Sequence, residues 1–145
     1  MSAPAERTRP HRPQDKRAGQ ALVEFALVVP LLLILILGVV EFGRAWNVYQ
    51  VMTDAAREAA RSAAVDNPLI TEDSIRAVVR NALTRAGVDP TDAVTDLTGV
   101  TGARGTPATV SIRYPYDFVF LRPFMGWADT EGLVTLKTTF SMRNE

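Results

Sequence analysis

The sequence predicts an α+β protein, in which a long amino-terminal transmembrane helix continues into a small domain with a second helix and a small antiparallel sheet. Three observations predict this class: an apolar run at residues 21–40, a helical apolar stripe after it, and alternating β-branched residues in the last third. The 145 residues, 47% of them hydrophobic, suffice for one small domain but not for two. Because much of the apolar content lies in the first run, we expect a modest core in the domain.

The apolar run reads ALVEFALVVPLLLILILGVV, and Glu24 is its single charged residue. At about 1.5 Å per residue a helix of this length spans roughly 30 Å, which is the thickness of a bilayer's hydrocarbon core. Buried helices of soluble proteins seldom run this long without a polar face. We therefore predict a transmembrane helix over residues 20–40.

A basic leader precedes the span. Residues 1–19 contain five Lys or Arg residues and two acidic residues. Positive flanks stay in the cytoplasm, so we predict a cytoplasmic leader and an exported domain at residues 41–145 of a bacterial single-pass membrane protein. A secretory signal peptide has a shorter apolar region and a small-residue cut site, whereas EFGR follows the span here. The span is thus predicted to remain as an anchor.

Glu24 needs an explanation, because a carboxylate in a membrane span costs roughly 2.5 to 3.5 kcal/mol, and less near the interface. One interpretation is that Glu24 lies close enough to the headgroups to stay hydrated. The other comes from its surroundings, since KRAG at residues 16–19 and QALVEF at residues 20–25 resemble the type IV prepilin processing site. By this resemblance a dedicated peptidase cuts between Gly19 and Gln20, and Glu24 is the fifth residue after the cut, followed by Phe25.

The longer segment from Gly19 to Ala64 resembles the amino-terminal module of the TadE-like family of tight-adherence pilus proteins. Residues 110–116 and 135–143 resemble the family's terminal strands more weakly. The resemblance implies a pilin-like fold and a structural pseudopilin role in a Tad-type pilus or secretion apparatus. The implied partners are other pilus or pseudopilin subunits, prepilin peptidase and membrane lipid.

The same resemblance implies a subunit-pairing role for Glu24 and Phe25. After cleavage, Glu24 of one subunit would neutralise the new amine of Gln20 on a neighbour. Ordinary type IV pilins carry phenylalanine where this chain has Gln20, so methylation of the new amino terminus is not implied. The alternative to a processed subunit is an uncleaved, membrane-anchored scaffold or binding domain.

The helix is predicted to continue over residues 41–65, because no proline interrupts this segment before Pro68. Its apolar residues follow heptad spacing: Phe42, Ala45, Tyr49, Met52, Ala56, Ala59 and Ala63. Trp46 and Tyr49 are interpreted as interfacial anchors. Pro30, inside the span, is either a hinge or a tolerated membrane proline.

A second helix is predicted over residues 72–86, after an N-terminal signal at Thr71 and before Gly87. Strands are predicted near residues 94–100, 109–114 and 133–142. The aromatic stretch at residues 114–127 has two interpretations. It either plugs the edge of the small core or forms an exposed contact surface.

Several classes of function have no support in the sequence. The chain has no cysteine, and its one histidine, His11, lies in the leader, which argues against cofactor, metal and nucleophile sites. No phosphate-binding glycine loop is present either. Topology and anionic lipid explain the basic leader better than nucleic acid does. We therefore predict no enzyme, no cofactor, no nucleic-acid partner and no small-molecule substrate.

Overall fold

The computed structural model describes residues 16–65, 67, 69–120 and 133–145. The predicted α+β class is confirmed. Two helices are followed by three strands: α1 (Lys16–Ala63), α2 (Glu72–Arg85), β1 (Val94–Thr98), β2 (Pro107–Asp117) and β3 (Leu133–Arg143). The chain divides into two compact units, residues 1–36 and 37–145.

Within the first unit, the described residues form the first part of α1. The helix is already present at Lys16, four residues before the predicted start at Gln20, and it runs without interruption through Pro30. Its large apolar side chains are exposed, from Leu22 to Ile36. One helix of the described chain is long and apolar enough to cross a membrane. It indicates single-pass membrane anchoring.

In the second unit, one face of α1 is buried in the core from Met52 onward. From there on its buried positions are occupied almost entirely by alanine: Ala55, Ala56, Ala59, Ala60 and Ala63, and the buried Ala64 follows directly after the helix. Alanine favours the helix and lets another layer approach closely. The helix ends at Ala63, two residues before the predicted end at Val65.

The second helix, α2, has a capping box in which the Thr71 side chain accepts from the Ser74 backbone N–H, and the Ser74 side chain accepts from the Thr71 N–H. It buries Ile75, Val79 and Leu83 on one face. The helix ends at Arg85, one residue before the predicted end, because Gly87 has a φ of +74° and the chain leaves the helix there.

The sheet is antiparallel with β2 in the centre, and Val110 lies opposite Leu97 of β1 and Phe140 of β3. The core side of β2 carries Ala108, Val110, Ile112 and Tyr116. β1 is shorter than the predicted 94–100, because Gly99 turns the chain with a φ of +71°.

The prediction for β2, residues 109–114, was too short at both ends, since the strand spans Pro107–Asp117. The strand includes Pro115, although proline cannot donate to a neighbouring strand. Pairing with β1 stops at Arg113, however, so β2 has a neighbour on one side only at Pro115, where proline is tolerated. β3 extends one residue beyond the predicted 133–142, to Arg143.

Candidate functional site

The predicted cut site lies in the first turns of α1. Gly19 is the fourth residue of the helix, and a Cβ atom added there would meet no atom within 4 Å. A peptidase needs an extended backbone, and glycine lowers the cost of unwinding the helix at this point. Cleavage between Gly19 and Gln20 stays a prediction.

Gln20 and Glu24 lie one helical turn apart and contact each other. The Gln20 Nε2 group donates a hydrogen bond of 3.0 Å to Glu24 Oε1, and both residues are exposed. The other carboxylate oxygen, Oε2, accepts no hydrogen bond from the part of the chain that the structure describes. Phe25 is also exposed. The carboxylate can thus accept a donor from outside the chain, although subunit pairing itself stays a prediction.

Phe42, Trp46 and Tyr49 form a ladder of rings along α1. The ring centroids of Phe42 and Trp46 are 6.3 Å apart, and those of Trp46 and Tyr49 are 5.9 Å apart. Phe42 and Trp46 are more than half exposed, and Tyr49 is partly buried. Such a ladder fits the headgroup region, where amphipathic rings concentrate. The anchoring roles of Trp46 and Tyr49, and the hinge role of Pro30, stay predictions.

A buried carboxylate, Glu41, is the residue that the sequence did not single out. Its side chain is fully buried, at the point where the apolar run ends. Glu41 Oε1 accepts from the Tyr116 hydroxyl at 2.7 Å, and Oε2 accepts from the backbone N–H groups of Phe120 at 2.8 Å and Val119 at 3.1 Å. Arg44 also donates to Oε1, at 3.3 Å. The carboxylate therefore has four donors, which compensates for its removal from water.

Tyr116 reaches Glu41 because it is the inward residue at the end of β2. Burial, and then the hydrogen bond to Glu41 and its charge, raise the pKa of Tyr116 to about 12. The tyrosine thus remains a neutral donor at any physiological pH. Arg44 lies over the Phe120 ring, with 5.6 Å from its guanidinium carbon to the centroid. Glu41 and Arg44 therefore hold the segment that follows β2 on the surface of α1.

In the described part of the aromatic stretch, residues 114–120, some side chains belong to the core and others are exposed, so both predicted roles have a part. Tyr116 belongs to the core, in edge-to-face contact with Phe118 at 5.6 Å between centroids. Val119 and Phe120 are exposed by 54% and 42%. Residues 121–127 lie outside the described part of the chain.

Residues 19–61 match the model of a protein family described as TadE-like protein. The similarity to TadE-like proteins is thus in the amino-terminal segment of this chain. The match begins at the predicted cut site and includes Glu24, Pro30 and Glu41. No curated protein and no solved structure matches the chain.

The TadE-like family is a structural family of pilus assembly that is not known as enzymatic. The similarity over residues 19–61 is therefore to proteins associated with the Tad pilus. In the described part of the chain, no group of three or more His, Asp or Glu side chains is arranged to hold a metal ion.

The one sequence signal for the Glu41 cluster was the position of a carboxylate directly after the apolar run. In the sequence this carboxylate counts only as part of EFGR, which argues against a signal-peptidase cut site. Three of its four donors lie 75 to 79 residues away, and no local pattern connects them to Glu41. Tyr116 itself was part of a stretch whose role was left open between core and surface.

Proposed function

We propose that this chain is a pseudopilin-like structural subunit of a Tad-type pilus or secretion apparatus. The observation that carries the proposal is the TadE-like match at residues 19–61, because one segment combines the Gly19–Gln20 junction, Glu24 and the outward-facing apolar span. An apolar surface of this size needs lipid before assembly and other subunits after it. The leader remains in the cytoplasm and residues 41–145 lie outside the cytoplasmic membrane.

Cleavage after Gly19 creates an ammonium group at Gln20, next to an apolar span. Glu24 of a neighbouring subunit is the counter-charge, and its Oε2 atom accepts no hydrogen bond within the described chain. Pairing the amine with the carboxylate offsets a desolvation cost that either charge would otherwise bear alone. Glu24 thus fixes how far one subunit is displaced along its neighbour.

Processing is tested with Gly19→Val in cells that contain the cognate peptidase. We expect mass spectrometry to find wild-type chains that begin at Gln20 and variant chains that keep the leader, because a branched side chain obstructs the cut. Gly43→Val is the matched control, since an added Cβ atom meets no atom within 4 Å at either glycine. Intact leaders in wild-type cells with an active apparatus would rule out processing.

Pairing is tested with Glu24→Gln, which keeps the shape and the bond from Gln20 but removes the charge. Membrane insertion and cleavage should be unchanged, because losing a charge eases insertion and Gly19 is untouched. Crosslinking between subunits should fall severalfold. Asp54→Asn, which removes an exposed carboxylate of the same helix, should leave crosslinking unchanged. Wild-type crosslinking and pilus formation in Glu24→Gln would make Glu24 a hydrated interfacial carboxylate.

Topology is tested with Ser141→Cys, because residue 141 is exposed on β3 and the chain has no other cysteine. A membrane-impermeant maleimide, added after the outer layers are permeabilised, should label it. A cysteine at residue 2, in the leader, should react only after the cytoplasmic membrane is opened. The opposite pattern would reverse the orientation.

One observation favours the alternative of an uncleaved, anchored scaffold. The backbone around the cut site, residues 16–20, is helical, so a peptidase must unwind at least one turn before it can act. A scaffold would keep its leader and would stay with the membrane fraction when filaments are sheared from the cells. Detection of residue 20 as the amino terminus in the sheared fraction would exclude this alternative.

A further inference from the structure

The unit of residues 37–145 has two ends with different charges. At the end where α1 enters this unit lies a groove of about 490 Å³. We call it the acidic groove. Its lining consists of Arg44, Val48, Gly87, Val88, Asp89, Asp92, Tyr114, Pro115, Tyr116 and Asp117. The single cation in this lining, Arg44, forms an ion pair with Glu41, and the carboxylates on which the following argument depends are those of Asp89 and Asp92, beside an aromatic wall.

Asp89 and Asp92 have no cationic partner in the part of the chain that the structure describes. Asp89 accepts hydrogen bonds from the Thr91 backbone N–H at 2.9 Å and the Thr91 hydroxyl at 2.7 Å, which hold the carboxylate in place. Burial, with the charges of Asp89 and Asp92, raises the pKa of Tyr114. The half-buried Tyr114 ring therefore lies in a negative field, and an aromatic wall beside carboxylates suits an arginine guanidinium.

The opposite end of the same unit is basic. There the end of α1, the β1–β2 connection and the end of β3 are joined by hydrogen bonds from Gly105 N to Asn144 O at 2.8 Å and from Glu145 N to Ala64 O at 3.0 Å. Three exposed arginines lie at this end: Arg61, Arg104 and Arg143. None of them forms an ion pair within the described residues, and the exposed acids near them in the chain are Glu145 and Glu58, of which Glu58 pairs with Arg85. We call this end the basic tip.

The two ends of one molecule cannot meet. Fifteen residues of α1 separate Val48 at the groove from Ala63 at the tip, which is about 22 Å of helix and far beyond the reach of an arginine side chain. The basic tip of one molecule therefore cannot fill the acidic groove of the same molecule, and a contact between the two surfaces needs a second copy. Because groove and tip are different surfaces, a contact between them is heterologous and repeats along an open assembly.

We propose that the basic tip of one copy docks in the acidic groove of a second copy, with Arg104 or Arg143 against Asp89, Asp92 and Tyr114. This contact rests on the proposed filament role. It connects the exported domains of two copies, whereas the pairing of Glu24 with Gln20 connects their amino-terminal helices. Two copies anchored identically in one bilayer have their tips at the same height. Docking needs a displacement of about 22 Å along the helix, so the contact forms only when copies leave the common plane.

The test uses disulfide crosslinking, because the chain contains no cysteine of its own. Thr91→Cys at the groove and Ala103→Cys at the tip replace exposed residues and keep every charge. The two full-length variants are produced together in cells that contain the apparatus, and the oxidised products are separated in the assembled and membrane fractions. We expect 91–103 dimers in the assembled fraction, with few 91–91 or 103–103 dimers.

Charge variants decide whether electrostatics drives the contact. The pair Asp89→Asn and Asp92→Asn should lower the yield of 91–103 dimers about tenfold, and Arg104→Asp with Arg143→Asp should do the same. Adding Asp89→Arg and Asp92→Arg to the second pair should restore the yield. Arg80→Gln, which removes an exposed arginine of α2 from neither end, is the control. Protease resistance of each variant shows that the domain has folded.

The full chain in detergent micelles gives a test that does not depend on assembly, since copies there are freed from a common plane. If 91–103 dimers are absent from micelles and from the assembled fraction, or if 91–91 dimers dominate, the docking contact is wrong even where Gln20 processing and pilus assembly persist. If 91–103 dimers form in micelles while no processed chain is found in cells, the docking contact stands and the proposed filament role fails.

Discussion

Residues 20–40 and residues 41–63 belong to one helix, yet their side chains meet opposite surroundings. In the first segment leucine, isoleucine and valine point outward on all sides, and no polar face interrupts them. In the second, small alanines line a buried face and charged residues occupy the exposed one. Among the described residues, the large apolar side chains of the first segment are exposed, whereas the alanines of the second segment are buried. Apolar residues in the second segment therefore belong to the domain's own core, and those of the first segment are available to surroundings outside the described chain.

The two glutamates of this helix differ in the same way. Glu24 is exposed and accepts one hydrogen bond, from the neighbouring turn. Glu41 is fully buried and accepts from four donors, of which three lie near the end of β2. A carboxylate without a complete set of donors is available to a partner, whereas a saturated one holds its own domain together. The comparison separates a candidate assembly residue from a residue of internal architecture.

The largest expected loss of stability comes from the substitution of Gly99. At Gly99 an added Cβ atom would lie 2.2 Å from the Pro107 carbonyl oxygen, and φ is +71°. Gly99→Ala should lower the unfolding free energy of the domain by about 3 to 4 kcal/mol, from backbone strain and the clash together. Gly38→Ala, in the span, meets no atom and should change it by less than about 0.5 kcal/mol. Urea denaturation of the full chain in micelles, followed by circular dichroism, measures both. Equal losses of stability in Gly99→Ala and Gly38→Ala would contradict the distinction between the span and the domain's core.

Glu41→Ala comes next. It leaves the Tyr116 hydroxyl and the N–H groups of Val119 and Phe120 without their acceptor, and we expect a loss of about 3 kcal/mol, moderated by the exposure of the last two residues. Protease cleavage near residue 120 should increase, because the segment after β2 is released. Glu24→Ala should leave the same urea midpoint unchanged. A shifted midpoint in Glu24→Ala would show that the span and the domain are energetically coupled.

Enlarging an alanine should have an intermediate effect. Ala56 is fully buried in the second segment, so Ala56→Leu should cost about 2 kcal/mol by overpacking. Ala26 is exposed in the first segment, and Ala26→Leu should leave the domain's stability unchanged while its longer side chain faces lipid or a partner. The pair is compared by thermal unfolding in micelles. A loss at Ala26 would mean that the span contacts the domain.

The smallest expected effect concerns Tyr116. Tyr116→Phe removes one donor to Glu41 and should cost about 1 kcal/mol at neutral pH. The raised pKa of Tyr116, about 12 against an ordinary 10, means that this contribution is complete below pH 10 and is lost as the pH rises through 12. The stability difference between wild type and Tyr116→Phe should therefore vanish across that interval. A difference that persists at pH 12 would contradict the raised pKa.

Periodic and local features were accessible from the sequence. The length of the apolar run predicted the span, the signals at Thr71 and Gly87 predicted α2, and alternation predicted the strands. The resemblance at residues 19–64 led to the TadE-like family without tertiary information. Element ends were less accessible, as β2 shows. Whether Pro115 can belong to a strand depends on where β1 stops, which is a property of the sheet and not of the residues around the proline.

The sequence by itself determined that this chain has a long apolar amino-terminal helix, a helical continuation and a small antiparallel sheet, because each follows from patterns within a few residues of one another. Only the tertiary structure decided that Glu41 meets Tyr116 and Phe120, and that acidic and basic residues collect at opposite ends of the domain. These contacts join residues up to 79 positions apart. These contacts form only when β2 packs beside α1. The residues around a carboxylate do not show which donors folding will bring to it.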